Sequence, residues 1–262
     1  LDKHALLKSY CQPDEKLLLA KVLDQADLSL RKHSLFYTDF LDPSMCAKAC
    51  DVLRFVRDLK FIPFGGYEDA ERKMIALCPD YFSDDDIVFP VDVIKITHNT
   101  KFSVCLSHRD YLGSVLGMGI ERSKIGDILV FDDATYCFAD SSISSYIISN
   151  LDRVGHTKVK TELVNLDTLI IPEKKMDIKN VTVSSLRADT VFGAVFGKSR
   201  SDMQELIRSE KASVNWIAIN SVSSTINEGD ILSLKGSGRG KLIGVGGTTK
   251  KGRLVITVGR YV

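Results

Sequence analysis

Apolar positions recur with a helical period up to about Lys60 and with a different period beyond it. Leu19, Val22, Leu23, Ala26 and Leu30 fall at i, i+3, i+4, i+7 and i+11, which predicts an amphipathic helix. Pro43-Ser44 opens a second helix, in which Cys46, Ala49, Cys50, Leu53 and Val56 keep a similar spacing. Core packing is the simplest role for both stripes. From Phe61 the pattern shortens: Phe61-Ile62-Pro63-Phe64 reads as a strand closed by the turn Gly65-Gly66. Ala70 to Leu77 reads as a helix, with Glu68, Asp69 and Glu71 in its first turn, where acidic groups suit the helix dipole. Two strands follow (Val91 to Ile96, Phe102 to Leu106), then a helix (Tyr111 to Ile120) and a hairpin (Ile128 to Phe131 with Thr135 to Phe138). A helix over Ser144 to Leu151 and an alternating strand over His156 to Val164 complete this part. Mixed strands and helices with short connections predict an α+β class. The polar break Pro172-Glu173-Lys174-Lys175 marks a boundary, giving a helical region over 1–59, an α+β domain over 60–171 and a terminal module over 181–262.

The terminal module carries two predicted helices. The first spans Asp189 to Phe196. The second opens at Ser199, a good cap, although Asp202 is shorter than the Glu or Gln that a capping box prefers. Met203, Leu206 and Ile207 form its apolar stripe, while Arg200, Gln204 and Arg208 fall at i, i+4 and i+8 on another face, with Lys211 just beyond. That row suits several phosphates at once, since a guanidinium is a planar fork matched to phosphate oxygens; a solvated helix face has the same pattern. Read as a surface position, Arg200 is replaceable at under about 0.5 kcal/mol of stability. Short strands are predicted at Ala212 to Val214, Ile217 to Ile219 and, after the turn Glu228-Gly229-Asp230, Ile231 to Leu234.

Charge sharpens this picture. The whole chain carries +1, but Ser184 to Val262 holds twelve basic and six acidic residues, against 23 and 28 in the remainder. After Asp230 there are seven basic residues, Arg239 and Lys241 among them, and no acidic one. Such asymmetry marks either a polyanion-binding end or a solvated basic tail. Composition is otherwise ordinary, with 44% hydrophobic and 26% charged residues. No apolar run approaches the roughly 20 residues that span a bilayer, and the polar start Leu1-Asp2-Lys3-His4 offers no secretory signal. The six cysteines (Cys11, Cys46, Cys50, Cys78, Cys105, Cys137) form no CxxC pair, and the five histidines are scattered. Free thiols, no metal and no cofactor are therefore expected.

In order and spacing, Leu186-Arg187-Ala188-Asp189, Lys198-Ser199-Arg200-Ser201, Gln204-Glu205-Leu206-Ile207, Val214-Asn215 and Gly229-Asp230 resemble the alpha-L RNA-binding domain, first described in ribosomal small-subunit protein four. The resemblance implies RNA contacts from Arg187, Lys198, Ser199, Arg200, Gln204, Arg208 and Lys211. The chain departs from it at Ala188, where Leu is favoured, and at Glu210, where Gly is favoured. Arg239 and Lys241, at the glycine-rich Gly236-Ser237-Gly238-Arg239-Gly240, are added from the charge pattern; those glycines permit a close backbone approach to RNA or a flexible turn.

Further segments are similar to the YlmH family, which occurs also in cyanobacteria and plastids. They are Thr38-Asp39-Phe40-Leu41-Asp42-Pro43, Gly65-Gly66-Tyr67, Ala70-Glu71-Arg72, His108-Arg109-Asp110-Tyr111-Leu112-Gly113, Arg122 and Lys124-Ile125-Gly126-Asp127-Ile128. This resemblance implies a helical N-terminal region, a ferredoxin-like middle domain and the small alpha-L domain. It also implies a soluble, non-catalytic protein of the bacterial cytoplasm or plastid stroma. Its expected partners are structured RNA, ribosomal or transfer, on the large ribosomal subunit, in translation quality control. A plastid branch linked by name to photosystem II leaves an assembly factor for a photosynthetic membrane complex as an alternative. An RNA-modifying enzyme is another, since the terminal module is often fused to pseudouridine synthases. Their Arg-Leu-Asp type motif is not found: Arg109-Asp110 lacks the Leu, and Arg187-Ala188-Asp189 belongs to the terminal module. His108-Arg109-Asp110 is not a kinase loop either, because Val115 stands where Asn is needed.

Overall fold

The computed structural model describes residues 6–8, 10, 12–98, 106–166, 169, 171 and 176–261, and the chain divides into two compact units, 1–170 and 171–262. Most of the strand expected at Phe102 to Leu106 and the break at Pro172 to Lys175 lie outside the described residues.

In the first unit, helix α1 (Pro13–Lys32) starts on a proline, carries Asp14 and Glu15 in its first turn and Arg31 and Lys32 in its last, as the helix dipole favours. Helix α2 (Pro43–Leu53) is capped by Asp42, which accepts from the Met45 amide at 3.0 Å. Leu19, Val22, Leu23 and Ala26 of α1 pack with Met45, Cys46, Ala49, Val52 and Leu53 of α2. The same core takes in Ile75 and Leu77 from a three-stranded antiparallel sheet, β1 (Phe36–Tyr37), β2 (Leu59–Phe64) and β3 (Met74–Pro79), ordered β1-β3-β2.

Strand β3 corrects the sequence reading, which placed a helix over Ala70 to Leu77. All six residues of β3 are buried, so the run is apolar throughout and its period cannot separate strand from helix. Glu68, Asp69 and Glu71 open no helix. Instead the Glu71 and Arg72 amides donate to the Asp127 carboxylate at 2.7 and 3.1 Å, and the Tyr67 hydroxyl joins them at 2.8 Å. Arg72 donates to the carbonyls of Ile125 (3.0 Å) and Phe40 (2.8 Å), and Lys124 pairs with Asp39 and Asp140, each at 2.9 Å. These residues, which carried much of the family resemblance, tie segments distant in sequence into one unit.

The remainder of this unit runs β4 (Val91–His98), α3 (His108–Leu116), β5 (Ile125–Val130), β6 (Thr135–Asp140), α4 (Ser141–Asn150), β7 (Arg153–Val154) and β8 (Thr157–Val164). Apart from the two-residue β7, this is the βαββαβ order of a ferredoxin-like unit, with an antiparallel sheet ordered β5-β6-β4-β8-β7. Helices α3 and α4 cover one face through Tyr111, Val115, Ile147 and Leu151. Asp110 is a capping group: its carboxylate accepts from the Ser107 amide at 2.7 Å.

The second unit is a six-stranded antiparallel sheet of β9 (Met176–Val183), β10 (Ala212–Val214), β11 (Ile217–Ala218), β12 (Ile231–Leu234), β13 (Gly238–Thr248) and β14 (Leu254–Tyr261), ordered β11-β10-β12-β13-β14-β9. Helices α5 (Ala188–Phe196) and α6 (Arg200–Arg208) lie on one face. Val191, Phe192, Val195, Met203 and Ile207 bury there against Leu232, Leu242, Ile256 and Val258.

Candidate RNA interface

Asp189 organises the α5–α6 pair. It stands in the first turn of α5, whose amides are anchored by a neighbouring loop, Ala188 N–H to Ser224 O at 2.8 Å and Asp189 N–H to Val222 O at 3.3 Å. Its side chain is 0% exposed. The carboxylate accepts from Arg200 Nε at 2.8 Å, Gln204 Nε2 at 2.9 Å, Thr190 Oγ1 at 3.3 Å and Arg187 Nε at 3.2 Å. Burial pushes this carboxyl up, but the hydrogen bonds from Gln204, Arg200 and Arg187 outweigh it and hold it well below the usual carboxylate range. A buried anion is thus satisfied by two guanidiniums whose own side chains are 37% (Arg187) and 57% (Arg200) exposed. Arg200 makes this contact through Nε, so the clamp does not use its terminal nitrogens.

The ends of α6 position the other cations. Ser199 caps it by accepting from the Asp202 amide at 3.2 Å. At the far end Glu210 N–H reaches Ile207 O at 2.9 Å and Lys211 N–H reaches Leu206 O at 3.0 Å, the paired bonds of a Schellman motif. Glu210 holds the left-handed position of that motif, φ +54°, which explains why a glycine suits this site. Lys198, Arg208 and Lys211 are exposed. Ser201, Gln204, Glu205, Arg208 and Ser209 line an open depression along the helix. The surface is not uniformly basic, for Asp202, Glu205 and Glu210 are exposed beside these cations.

Seven of the nine sequence-selected residues therefore gather on α5, α6 and the segments that end them: Arg187, Lys198, Ser199, Arg200, Gln204, Arg208 and Lys211. Arg239 and Lys241 do not join them. They flank Gly240, whose missing Cβ would lie 2.4 Å from Val195 Cγ1 of α5 and 2.6 Å from Gly259 O. Alternation along β13 therefore sends Arg239 and Lys241 to the opposite face of the sheet. Within the glycine-rich stretch, Gly236 (φ +79°) and Gly238 (φ +90°) shape the β12–β13 turn, and Gly240 admits α5 rather than a ligand. One residue on the helix side escaped the sequence reading. Arg260 pairs across from Gly240, stands 5.9 Å from the Phe196 ring and donates to Ser237 O at 2.9 Å. Its basic charge was visible, but its placement depended on a strand, β14, that was not read.

Fold and site together define an α+β protein with an arginine surface ordered on a buried carboxylate. The chain belongs to the YlmH family: residues 15–82 match the family model "YlmH, N-terminal" and residues 84–168 match "Putative RNA-binding domain in YlmH". It is 31% identical over 247 residues to "Ribosome-associated protein quality control protein P2" of Bacillus subtilis (strain 168), covering 94% of this chain and 95% of that protein. Among solved structures, "Cell division protein ylmH from Streptococcus pneumoniae" shares the fold with a TM-score of 0.51 at 23% identity, over 62% of this chain and 98% of that one.

Proposed function

We propose that this protein is a non-catalytic RNA-binding factor that grips structured RNA with the α5–α6 surface. The observation that carries the reading is the clamp at Asp189, which fixes Arg187 and Arg200 while leaving both partly exposed beside Lys198, Arg208 and Lys211. Oriented guanidiniums suit the phosphate oxygens of a folded RNA, whose shape rather than sequence is then recognised. The RNA is ribosomal or transfer RNA on the large ribosomal subunit; the similarity to a ribosome-associated quality control protein of Bacillus subtilis supports the part played in translation quality control. The work is done in a bacterial cytoplasm or plastid stroma; among the described residues no helix is long and apolar enough to cross a membrane. Two aspartates in motifs that resemble catalytic ones have structural duties, Asp110 as a helix cap and Asp189 as the buried clamp. Co-sedimentation with separated ribosomal subunits across a salt series tests the reading. Retention on the large subunit that weakens with salt and with Arg208→Ala is expected. Salt-independent retention, or none, would overturn it.

A further inference from the structure

The middle sheet has a second face. Ile94, Ile96, Cys137 and Ala139 point toward α3 and α4, so Lys95, Thr97 and Tyr136, alternating with them, point away. Register adds their neighbours: Leu129 lies opposite Tyr136, Glu162 opposite Lys95, Lys160 opposite Thr97, and Arg153 opposite Lys158. At one end this face is closed, because Tyr67 stacks near Phe138 with ring centroids 5.0 Å apart, and Val93 and Phe138 are buried. Beyond that cover the face opens. Leu129, Phe131 and Tyr136 are half-buried, and Phe131 meets the Tyr136 ring edge-on at 6.0 Å. Arg153, Lys158 and Lys160 are exposed along its margin, and Lys95 is half-buried. The acidic groups nearby are Glu162, 3.4 Å from Lys95, and Asp132 and Asp133 at the β5–β6 turn.

We propose that this open half-face binds unpaired nucleotides, with a base stacked on Tyr136 and the backbone running along Lys160, Lys158 and Arg153. Every base has a π-face, so an aromatic shelf bordered by cations takes single-stranded RNA without sequence preference. The bases of a duplex are already stacked on one another and cannot use the shelf. A protein partner fits less well, since the apolar area is three side chains wide and edged with cations rather than a continuous patch. All these residues lie within the segment matched by the family's RNA-binding model. The inference rests on the reading that the protein binds RNA, but it assigns a contact separate from α6.

The test uses the full chain and a short labelled oligouridine, in wild type and in an Arg208→Ala, Lys211→Ala background. Tyr136→Ala is expected to weaken oligouridine binding about tenfold or more, the scale of one lost base–aromatic stack. Tyr136→Phe keeps it. Lys160→Glu, at an exposed site, should weaken binding comparably and make the salt dependence shallower by at least about 0.7; it carries the test if Tyr136→Ala melts early. Ultraviolet crosslinks to thiouridine-substituted probe should map to the Tyr136 peptide and persist in the α6 background. Unchanged affinity in folded Tyr136→Ala and Lys160→Glu variants, or crosslinks confined to α6, would overturn the proposal. Loss of structured RNA in the α6 background with oligouridine retained supports both sites. Structured RNA retained in that background counts against the α6 reading alone.

Discussion

Arg200 donates its Nε hydrogen to the fully buried Asp189 carboxylate at 2.8 Å. The expectation that Arg200 is a freely replaceable surface residue is therefore corrected: its head group holds a carboxylate that is fully buried in the second unit. Arg200→Ala leaves that carboxylate with fewer donors and is expected to cost about 1–3 kcal/mol, the scale for under-satisfying a buried polar group. Arg208→Ala, on the same helix but solvated, should stay within about 0.5 kcal/mol. Thermal or urea melts of the two variants compare them directly.

Acid should loosen the second unit through the same carboxylate. The Asp189 pKa is depressed in the folded state, so its contribution is complete above the unfolded value of about 3.9. It is lost progressively as pH falls below that toward the lower folded value. Asp189→Asn should flatten the acid limb of a stability–pH curve in this window while lowering stability at neutral pH. An acid limb identical to wild type would show that other carboxylates dominate it.

Glu210→Gly should stabilise the protein and strengthen RNA binding together. A left-handed conformation costs a non-glycine residue about 1–2 kcal/mol, partly offset by the roughly 0.4–1 kcal/mol of extra chain entropy that glycine brings to the unfolded state. The net expectation is a gain of about 0.5–1 kcal/mol, and the lost negative charge beside Lys211 raises affinity most at low salt. A melt and a binding isotherm check the two effects separately.

Gly240→Ala places a methyl group 2.4 Å from Val195 Cγ1 and 2.6 Å from Gly259 O. The carbonyl cannot yield as a side-chain tip can, so the cost should reach or exceed the usual overpacking range of about 1–3 kcal/mol. Denaturant unfolding measures it.

The sequence made the helical stripes legible because one face of α1, α2 and α6 meets solvent, which leaves the 3.6-residue period visible. It hid β3, where Met74 to Pro79 is buried on every side, and β9, an edge strand whose exposed run Asp177 to Asn180 is polar except for Ile178. It assembled the α6 row correctly, because residues four apart share a helix face whatever the tertiary context. It could not show that Asp189 lies beneath that row, since an aspartate in a first helical turn looks alike whether solvated or buried. Nor could it divide Arg239 and Lys241 from the helix cations, because that division depends on the face to which Gly240 turns.

The central claim, that α6 meets RNA phosphates, is tested most directly by salt titration of binding to a structured ribosomal RNA, comparing wild type with Arg208→Ala, Lys211→Ala. Neither residue touches the Asp189 clamp, so the double variant should melt as wild type does. Each lost phosphate contact should make the log–log salt dependence shallower by roughly one unit and weaken binding across RNA sequences alike. An unchanged slope and affinity in the folded double variant would mean that α6 is a solvated helix face and that the RNA is held elsewhere.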